Sequence, residues 1–457
     1  MAVPLHVFRE YDIRGRADGE ITPEFARLLG LAFGRQAGGG SVVLGRDNRR
    51  SSPALAAAAA DGLRAAGCDV VDIGLCVTPC FYFAREHLGV KPGMMVTASH
   101  NPGDENGFKL ALGRSTLYGE EIAGLGRAMA AGPAPASTPG GLRQIDLGAA
   151  YLDAIAERVR LARPLKVVCD CGDGTASLFA PKLLRRLGCE VTELFCGNDP
   201  DFPHHHPDPA RPENLRDLIA TVRRTGADLG LGFDGDGDRL GAVADDGGIL
   251  WGDTLMMLFW REILPAHPGA EVLVEVKCSQ ALYDEAERLG GRPFFHRTGH
   301  SYIKATLYGR NLLFAGEMSG HLFFHDEYFG YDDALYAGAR LLRLLAGAGG
   351  RPLSALAREL PHYAATPEVR VTCADAEKFR IVDALRADFA ARLPVVDVDG
   401  ARVLFPEGWG LVRASNTQPA LVLRCEGRTQ SALHTICDAM GTALARYPEV
   451  GAIDWGI

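Results

Sequence analysis

The sequence lacks a long apolar run. No stretch approaches the roughly 18 apolar residues of a membrane-spanning helix, and charges appear between Met1 and Glu10, before an apolar segment of signal-peptide length. An excess of positive charge is also missing, because the formal net charge is −9. Nucleic acids and anionic membranes bind basic surfaces. The sequence therefore predicts a cytoplasmic protein with neither a nucleic-acid nor a membrane partner.

A disulfide framework is missing too. The eleven cysteines are odd in number and scattered, and most of them stand in apolar, strand-like runs, as Cys169 and Cys171 do. This distribution favours buried thiols over disulfides. The Cys169-x-Cys171 pair lacks the spacing of a zinc knuckle. We therefore expect no metal site there from spacing alone.

The length and composition are those of a multidomain globular protein. The chain has 457 residues, of which 47% are hydrophobic and 23% are charged. These fractions are far from those of disordered or fibrous chains. Since domains usually contain about 100–200 residues, three or four domains are expected.

A strand-helix-strand pattern occurs three times, within residues 41–74, 166–191 and 271–295. Each copy has a Val- or Leu-rich strand, a helix that ends at a glycine, and a second apolar strand. This pattern is typical of parallel βαβ units. After Pro361, alternating strands with helices between them indicate a smaller α+β domain. We predict three related α/β domains, at 1–147, 148–248 and 249–364, and an α+β domain at 365–457.

An aspartate-rich loop, Gly232 to Arg239, follows an apolar strand. Asp234, Asp236 and Asp238 are separated by glycines, so their carboxylates can converge on one hard cation. An EF-hand calcium loop needs glycine at its sixth position and glutamate at its twelfth, where Arg239 and Asp245 stand. The remaining alternative is a solvated acidic turn. Three protein ligands leave coordination sites open, as magnesium requires when it binds a phosphate.

A second loop contains Ser99 and His100 and lies ten residues before Lys109. A serine hydroxyl on a tight loop after an apolar strand can act as a nucleophile or a phosphoryl carrier. By itself the motif is equally compatible with ordinary turn chemistry.

Two further loops carry groups that suit a phosphorylated sugar. Glu317 and Ser319 are two residues apart, so in an extended segment they point the same way and could bind vicinal hydroxyls. Near the C-terminus, the cluster of donors that would suit a phosphate comprises Arg413, Ser415, Asn416 and Thr417. Structural turns are the alternative in both places.

The four loops, in this order and spacing, resemble the α-D-phosphohexomutase superfamily over essentially the whole chain. The resemblance is greatest to its bacterial phosphomannomutase/phosphoglucomutase branch. It extends to four further segments: Tyr11-Asp12-Ile13-Arg14-Gly15, residues 202–209, Thr298-Gly299-His300-Ser301, and residues 408–413. It implies three α/β domains with mixed sheets and a C-terminal α+β domain around a central cleft, each contributing one loop.

The resemblance also implies residue roles. Ser99 would carry the phosphoryl group and, with Asp234, Asp236 and Asp238, hold magnesium. Sugar and phosphate binding would fall to a set of residues in the other segments: Tyr11, Arg239, Lys277, His300, Glu317, Ser319, His321, Arg413, Ser415, Asn416 and Thr417.

The expected reaction is the reversible conversion of mannose or glucose 1-phosphate into the 6-phosphate through a bound hexose 1,6-bisphosphate. A phosphoglucosamine mutase is the alternative, although Met318 and Asn416 favour the mannose/glucose branch. The partners would be small phosphosugars, and the protein would be a monomer or a small homo-oligomer.

Proton transfer requires a group near the serine. Lys109 and His300 are candidates for general base and acid, in either order, while Arg14 and His100 would orient groups or stabilise charge. A phosphatase that uses an aspartate nucleophile in the Asp-rich loop is a second enzymatic interpretation. A phosphosugar-binding or calcium-binding protein without catalytic activity is the non-enzymatic one.

Overall fold

The structure, a computed structural model, describes residues 3–416 and 418–457. Its first segment forms seven strands and four helices: β1 (Ile13–Arg16), α1 (Pro23–Ala37), β2 (Gly40–Arg46), α2 (Ser52–Ala65), β3 (Cys68–Leu75), α3 (Thr78–His87), β4 (Gly93–Val96), β5 (Glu105–Leu112), β6 (Ser115–Thr116), α4 (Glu120–Ala130) and β7 (Leu142–Gln144). The strand order is β1-β5-β4-β2-β3-β7, with β6 beside β5. Strand β2 is parallel to β3 and β4, whereas β4 and β1 are antiparallel to β5. The sheet is therefore mixed, as expected.

The second segment forms a five-stranded sheet. Its elements are α5 (Gly148–Arg158), β8 (Lys166–Asp170), α6 (Ala180–Arg186), β9 (Glu190–Leu194), α7 (Arg216–Thr225), β10 (Leu229–Phe233), β11 (Leu240–Ala244) and β12 (Ile249–Leu250). The order is β12-β11-β10-β8-β9. Strand β8 is parallel to both β9 and β10, and β10 turns back antiparallel into β11.

The third segment contains two small sheets, in which β13 pairs with β14 and β15 with β16. Its elements are α8 (Gly252–Ile263), β13 (Glu271–Glu275), α9 (Gln280–Arg288), β14 (Arg292–His296), α10 (His300–Arg310), β15 (Phe314–Gly316), β16 (Leu322–Phe324), α11 (Ala334–Ala346) and α12 (Leu353–Arg358).

The C-terminal segment is antiparallel, and it includes two helices. Its elements are β17 (Ala364–Ala365), β18 (Val369–Thr372), α13 (Asp375–Ala390), β19 (Val395–Val396), β20 (Ala401–Phe405), β21 (Gly408–Ala414), β22 (Ala420–Gly427) and α14 (Gln430–Leu444). The strand order is β17-β22-β21-β20-β19, with β18 also paired to β22. This is the predicted α+β arrangement.

The three sequence repeats are parallel βαβ units: β2-α2-β3, β8-α6-β9 and β13-α9-β14. The glycine that follows each helix, Gly67, Gly188 or Gly290, has φ of 88°, 89° or 81°. A side chain is disfavoured in this left-handed conformation, so glycine is the residue that lets the chain turn from helix to strand. This shared physical requirement made the repeat visible in the sequence.

The chain divides into two compact units. The first contains the described residues up to Gly252, with His300–Ala315 and Ser319–Ala357. The second contains Asp253–Gly299, Gly316–Met318 and Arg358–Ile457. The segment 249–364 thus contributes to both units, and the domain boundaries from the sequence stay predictions.

Each unit has a substantial apolar core. In the first, buried side chains of α1, α2 and α4 pack on the β2-β4-β5 region, and in the second, α13 and α14 cover the antiparallel sheet. Burial of apolar surface stabilises a fold by about 25 cal/mol per Å². Along residues 3–416 and 418–457, no helix combines the length and apolar character needed to cross a bilayer.

Asp333, at the start of α11, is a buried carboxyl that should make stability pH-dependent. It accepts hydrogen bonds from the Tyr151 hydroxyl (2.9 Å), the Tyr328 hydroxyl (3.0 Å) and the Tyr336 amide (2.9 Å). Burial raises the pKa of Asp333 from 3.8 to about 7. Because the folded state holds this proton more tightly than the unfolded chain, the stabilisation is full below the unfolded pKa and is lost as pH rises through 7.

We therefore expect Asp333→Asn, which does not titrate, to lose less stability than the wild type as pH rises. Between about pH 5 and pH 8, the difference in the free energy of unfolding between the variant and the wild type should change by about 3 kcal/mol in favour of the variant. Urea unfolding at both pH values measures this, with Asp61→Asn, at an exposed carboxylate, as the control. Parallel pH profiles of Asp333→Asn and the wild type would contradict the assignment.

Candidate active site

Ser99 lies on a constrained loop that follows β4. It has φ of 51° and is only 2% exposed. A non-glycine residue in this left-handed region is strained, and such residues are concentrated at functional sites. The Thr97 hydroxyl accepts the backbone N–H of Ser99 at 2.9 Å, so the turn is stabilised from within.

A buried guanidinium holds the backbone of this loop. Arg49 donates to the carbonyls of Ser99 (2.7 Å), Asn101 (2.5 Å), Pro102 (2.5 Å) and Glu105 (3.0 Å). It is 1% exposed and forms an ion pair with Asp47. Five donors in a rigid fork can satisfy several carbonyls at once. Arg49 thereby fixes the shape of the serine loop.

The three aspartates lie in the turn between β10 and β11, and none of them is exposed. Asp234 accepts the N–H groups of Asp238 (3.0 Å) and Arg239 (3.1 Å), which curls the turn. Its other oxygen accepts the hydroxyl of Ser99 at 2.6 Å. The serine and the aspartate loop, 135 residues apart in sequence, therefore share one site.

Asp236 is fixed by three donors from the serine half of the site. Its Oδ2 accepts the hydroxyls of Thr78 (2.7 Å) and Thr97 (3.0 Å) and lies 3.0 Å from the ammonium of Lys109. Lys109 also forms a close ion pair with Asp238. One lysine therefore faces two carboxylates.

The remaining carboxylate atoms fit a divalent cation. Asp236 Oδ1 and Asp238 Oδ1 are buried and have no hydrogen-bond donor among the described residues. One oxygen from each of the three aspartates lies within 4.8 Å of the others. Buried charged oxygens are costly unless a proton or cation satisfies them. Oxygen ligands of this kind, with few donors around them, suit magnesium or another hard ion.

The charges around the aspartate loop shift the pKa values of two of its carboxyl groups and of Lys109. Burial, with the charges of Asp238 and Asp236, raises the pKa of Asp234 well above its usual value. Burial would raise the pKa of Asp236 as well, but the Lys109 charge outweighs it, and that pKa is lowered. Burial would lower the pKa of Lys109, yet Asp236 and Asp238 raise it. Lys109 is therefore an ammonium at neutral pH in this arrangement.

The hydrogen bond from Arg239 selects one tautomer of the neutral His321 ring. Arg239, which can only donate, donates from Nε to His321 Nε2 at 2.9 Å. The proton of the neutral ring therefore lies on Nδ1, 3.0 Å from Asp332 Oδ2. Asp332 is unexposed and also forms an ion pair with Lys304 at 2.8 Å. Burial would raise the pKa of Asp332, but the Lys304 charge and the contact with the His321 N–H lower it well below its usual value.

His300 stacks beside His321, with the ring centroids 5.3 Å apart. Its Nδ1 is 3.8 Å from Asp332 Oδ2, and burial lowers the pKa of His300 well below its usual value. A neutral imidazole can accept a proton. Tyr11 packs edge-on against the ring, with a centroid distance of 6.0 Å.

His100 and Arg14 both contact the serine loop. His100 Nδ1 is 3.1 Å from Ser99 Oγ, and burial lowers the pKa of His100 well below its usual value. Since Arg239 Nη1 donates to His100 Nε2 at 3.5 Å, the ring proton is on Nδ1 and points to the serine oxygen. Arg14 donates to Asn101 Oδ1 at 2.7 Å and to the carbonyl of Ala98.

In the second unit, the two cations expected to bind phosphate are paired with carboxylates. Lys277 lies 2.9 Å from Glu368, and Arg413 contacts Asp399 at 3.0 Å. Burial would lower the pKa of Lys277, but the Glu368 charge outweighs this effect and raises it. Both cations are nearly buried. A phosphate at either position would share the cation with, or take it from, a neighbouring carboxylate.

The Glu317 loop differs from the expectation. Met318 and Ser319 form a turn, so Glu317 and Ser319 are not on the extended segment that would point them the same way. The buried Glu317 accepts the N–H of Gly299 at 2.6 Å. The assumption of an extended strand was wrong because β15 ends at Gly316, one residue before Glu317.

Ser415, just after β21, accepts hydrogen bonds through both its side chain and its backbone. Ser415 Oγ accepts the Gln418 N–H at 3.2 Å, and its carbonyl accepts from Lys378 at 2.6 Å. Asn416 is half-buried. Thr417 lies outside the described residues.

The sequence argument missed Arg49, Thr78, Asp332, Glu368 and Asp399. Arg49, Thr78 and Glu368 act on predicted site residues at least 50 positions away in the sequence, whereas Asp399 lies 14 positions from Arg413. The only local signal was the position of Asp332 next to Asp333, shortly after the Glu317 loop. Nothing in the local spacing of the other four indicates their partners.

Comparison with known proteins covers all four segments. Family models match residues 5–124, 149–248 and 251–363, described as phosphoglucomutase/phosphomannomutase alpha/beta/alpha domains I, II and III. The C-terminal domain of the same family matches residues 368–443.

Individual relatives match over nearly the full length. A phosphomannomutase/phosphoglucomutase of Pseudomonas putida is 44% identical over 454 residues, 98% of each chain. A probable phosphoglucosamine mutase of Methanopyrus kandleri is 34% identical and covers 96% of this chain and 97% of its own. A crystal structure of a phosphoglucomutase/phosphomannomutase family protein from Burkholderia thailandensis superposes with a TM-score of 0.91, at 43% identity and 99% coverage of both chains.

Proposed function

Because this chain belongs to the phosphoglucomutase/phosphomannomutase family of phosphohexomutases, we propose that it passes a phosphoryl group through Ser99. The enzyme is a phosphotransferase that acts on phosphosugars. The observation that carries the proposal is the 2.6 Å hydrogen bond from Ser99 to Asp234, in a loop of three buried aspartates.

In the proposed reaction, the phosphate on Ser99 passes to the free hydroxyl of a hexose 1- or 6-phosphate and forms a 1,6-bisphosphate. The bisphosphate then turns end for end and returns its other phosphate to Ser99. The protein contributes mainly position and charge, because phosphoryl transfer needs little covalent chemistry beyond the carrier.

The family uses a metal ion, and we propose that it is magnesium here, held by Asp234, Asp236, Asp238 and an oxygen on Ser99. When bound, magnesium supplies positive charge at the phosphate oxygens. Lys109 provides a second positive charge at the same carboxylates. Arg239, which donates a hydrogen bond to His321, lies in the same compact unit as Ser99. We propose that it offsets the negative charge of the transferring phosphoryl group.

Proton transfer is assigned to the histidines rather than to Lys109. Lys109 is held as an ammonium by two carboxylates, so it stabilises charge and is not available as a base. His300 has a neutral ring that can accept the proton of the sugar hydroxyl. Asp332 lies beside both His300 and His321, and its negative charge favours the protonated form of His300.

Substrate binding is assigned by family resemblance to Glu317 and Ser319 for the sugar hydroxyls. The group that would bind the non-reacting phosphate comprises Arg413, Ser415, Asn416 and Thr417, whereas Lys277 would help to offset the charge of the transferring group. The contact of Arg413 with Asp399 supports this role, because a guanidinium already presented to a carboxylate has the geometry for bidentate binding of a phosphate.

The substrate class can be tested with mannose, glucose and glucosamine 1-phosphates in a coupled assay that supplies catalytic hexose 1,6-bisphosphate. We expect kcat/KM for the mannose and glucose compounds to exceed that for glucosamine by at least about tenfold, a difference of about 1.4 kcal/mol. The greater identity to the Pseudomonas relative than to the phosphoglucosamine mutase supports this expectation. Preference for the glucosamine compound would assign the chain to the other branch.

A further inference from the structure

Three cysteine thiols meet at one edge of the second sheet, outside the proposed catalytic site. Cys169 lies in β8, Cys171 is the first residue after that strand, and Cys196 lies two residues beyond the end of β9. Since β8 and β9 are parallel, their carboxyl ends lie at the same edge. Cys169 and Cys171, two apart along the chain, present their thiols to the same side.

The thiols are close enough to share one ion. The three Sγ atoms all lie within 4.8 Å of one another, and those of Cys169 and Cys171 are 3.8 Å apart. Two sulfurs bound to one ion at about 2.3 Å are about 3.8 Å apart in tetrahedral geometry and about 4.0 Å apart in trigonal geometry. A disulfide would need about 2.05 Å. The 3.8 Å spacing fits two ligands of one ion, and it is also that of a thiol–thiol hydrogen bond, which a bound ion would replace.

The three thiols differ in their access to solvent. Cys169 and Cys171 are fully buried, and Cys196 is only half-buried. An ion can therefore enter at Cys196 and displace the protons of the two inner thiols, as metal binding to cysteines requires.

We propose that Cys169, Cys171 and Cys196 bind one thiophilic metal ion, Cu(I) or Zn(II), through three thiolates. Thiolates select soft ions, whereas the carboxylates of the aspartate loop suit hard ones. Within the described part of the chain, the cluster contains no fourth thiol, imidazole or carboxylate. A three-coordinate site suits Cu(I), and Zn(II) would keep its fourth position for solvent.

Spacing alone argued against a metal here, because Cys169-x-Cys171 is too short for a zinc knuckle. The third ligand follows another strand, 25 residues further along the sequence than Cys171, and the parallel pairing of β8 with β9 places it near the other two. The proposal does not depend on the catalytic assignment.

The test is metal uptake by the reduced full-length protein in the presence of excess magnesium, which keeps the carboxylate site occupied. Cu(I), delivered anaerobically from a chelator, and Zn(II) are titrated separately, followed by thiolate-to-metal charge-transfer absorption for Cu(I) and by metal analysis after desalting for both. We expect one equivalent of at least one of these ions per chain. Cys196→Ser should weaken this binding by at least about a hundredfold.

Cys189→Ser is the matched control, because Cys189 is a buried cysteine of the same sheet region outside this cluster; it should bind like the wild type. Cys171→Ser provides a second variant, and circular dichroism checks that each variant is folded. Wild-type protein that takes up no more of either ion than Cys196→Ser would overturn the proposal. Uptake by folded Cys171→Ser equal to that of the wild type would do the same.

Discussion

Ser99→Ala should lower mutase turnover by at least about a thousandfold while hexose phosphate binding is retained, because the variant loses the oxygen that carries the phosphoryl group in the proposed mechanism. The substituted atom is small, and the loop is held independently by Arg49. We therefore expect the fold to be unchanged. Initial rates in a coupled assay and calorimetric binding of glucose 6-phosphate measure the two effects separately.

Ser177→Ala removes a hydroxyl from a similarly buried serine of the same unit and should leave the rate near that of the wild type. Intact-protein mass spectrometry after incubation with hexose 1,6-bisphosphate should show one added phosphate on the wild type and none on Ser99→Ala. A phosphate that stays on Ser99→Ala, at an aspartate, would favour the phosphatase interpretation. Wild-type turnover in this variant would remove the serine carrier from the mechanism.

Asp236→Asn should raise the magnesium concentration needed for half-maximal activity by about a hundredfold and lower kcat as well. Asp236 has one oxygen committed to Thr78, Thr97 and Lys109 and the other without a donor. The substitution removes one of three charges that face the cation. Activity as a function of magnesium, together with calorimetric titration of the metal, measures the effect.

Asp104→Asn, at an exposed carboxylate near the serine loop, serves as the control and should keep the wild-type magnesium dependence. Exhaustive chelation of the wild type should abolish activity, and added magnesium should restore it. Full activity after chelation, or an unchanged magnesium curve for Asp236→Asn, would show that the aspartates hold no functional cation.

Features that arise from short-range chemistry were predictable. The parallel βαβ units follow from apolar strands and from glycines that turn each helix into the next strand, and the structure confirms all three. The convergence of Asp234, Asp236 and Asp238 follows from their alternate spacing in a turn. Both patterns are complete within a few dozen residues.

Features that depend on tertiary approach were not predictable from spacing. The contact between Ser99 and Asp234 was expected only through the family resemblance, and Arg49 has no local signal for its four carbonyl partners. At the Glu317 loop, in contrast, spacing suggested a geometry that the structure does not have, because the backbone turns at Met318 instead of continuing extended. Cys196 joins Cys169 and Cys171 only because two strands are parallel.

Arg49 donates hydrogen bonds to four carbonyls and so holds the backbone around Ser99 independently of the chemical state of the Ser99 side chain. In the proposed cycle Ser99 alternates between a neutral hydroxyl and a dianionic ester, yet none of the four hydrogen bonds involves the atom that would change. Charge can therefore appear and disappear without remodelling of the main chain, so both half-reactions start from the same scaffold and avoid a reorganisation penalty.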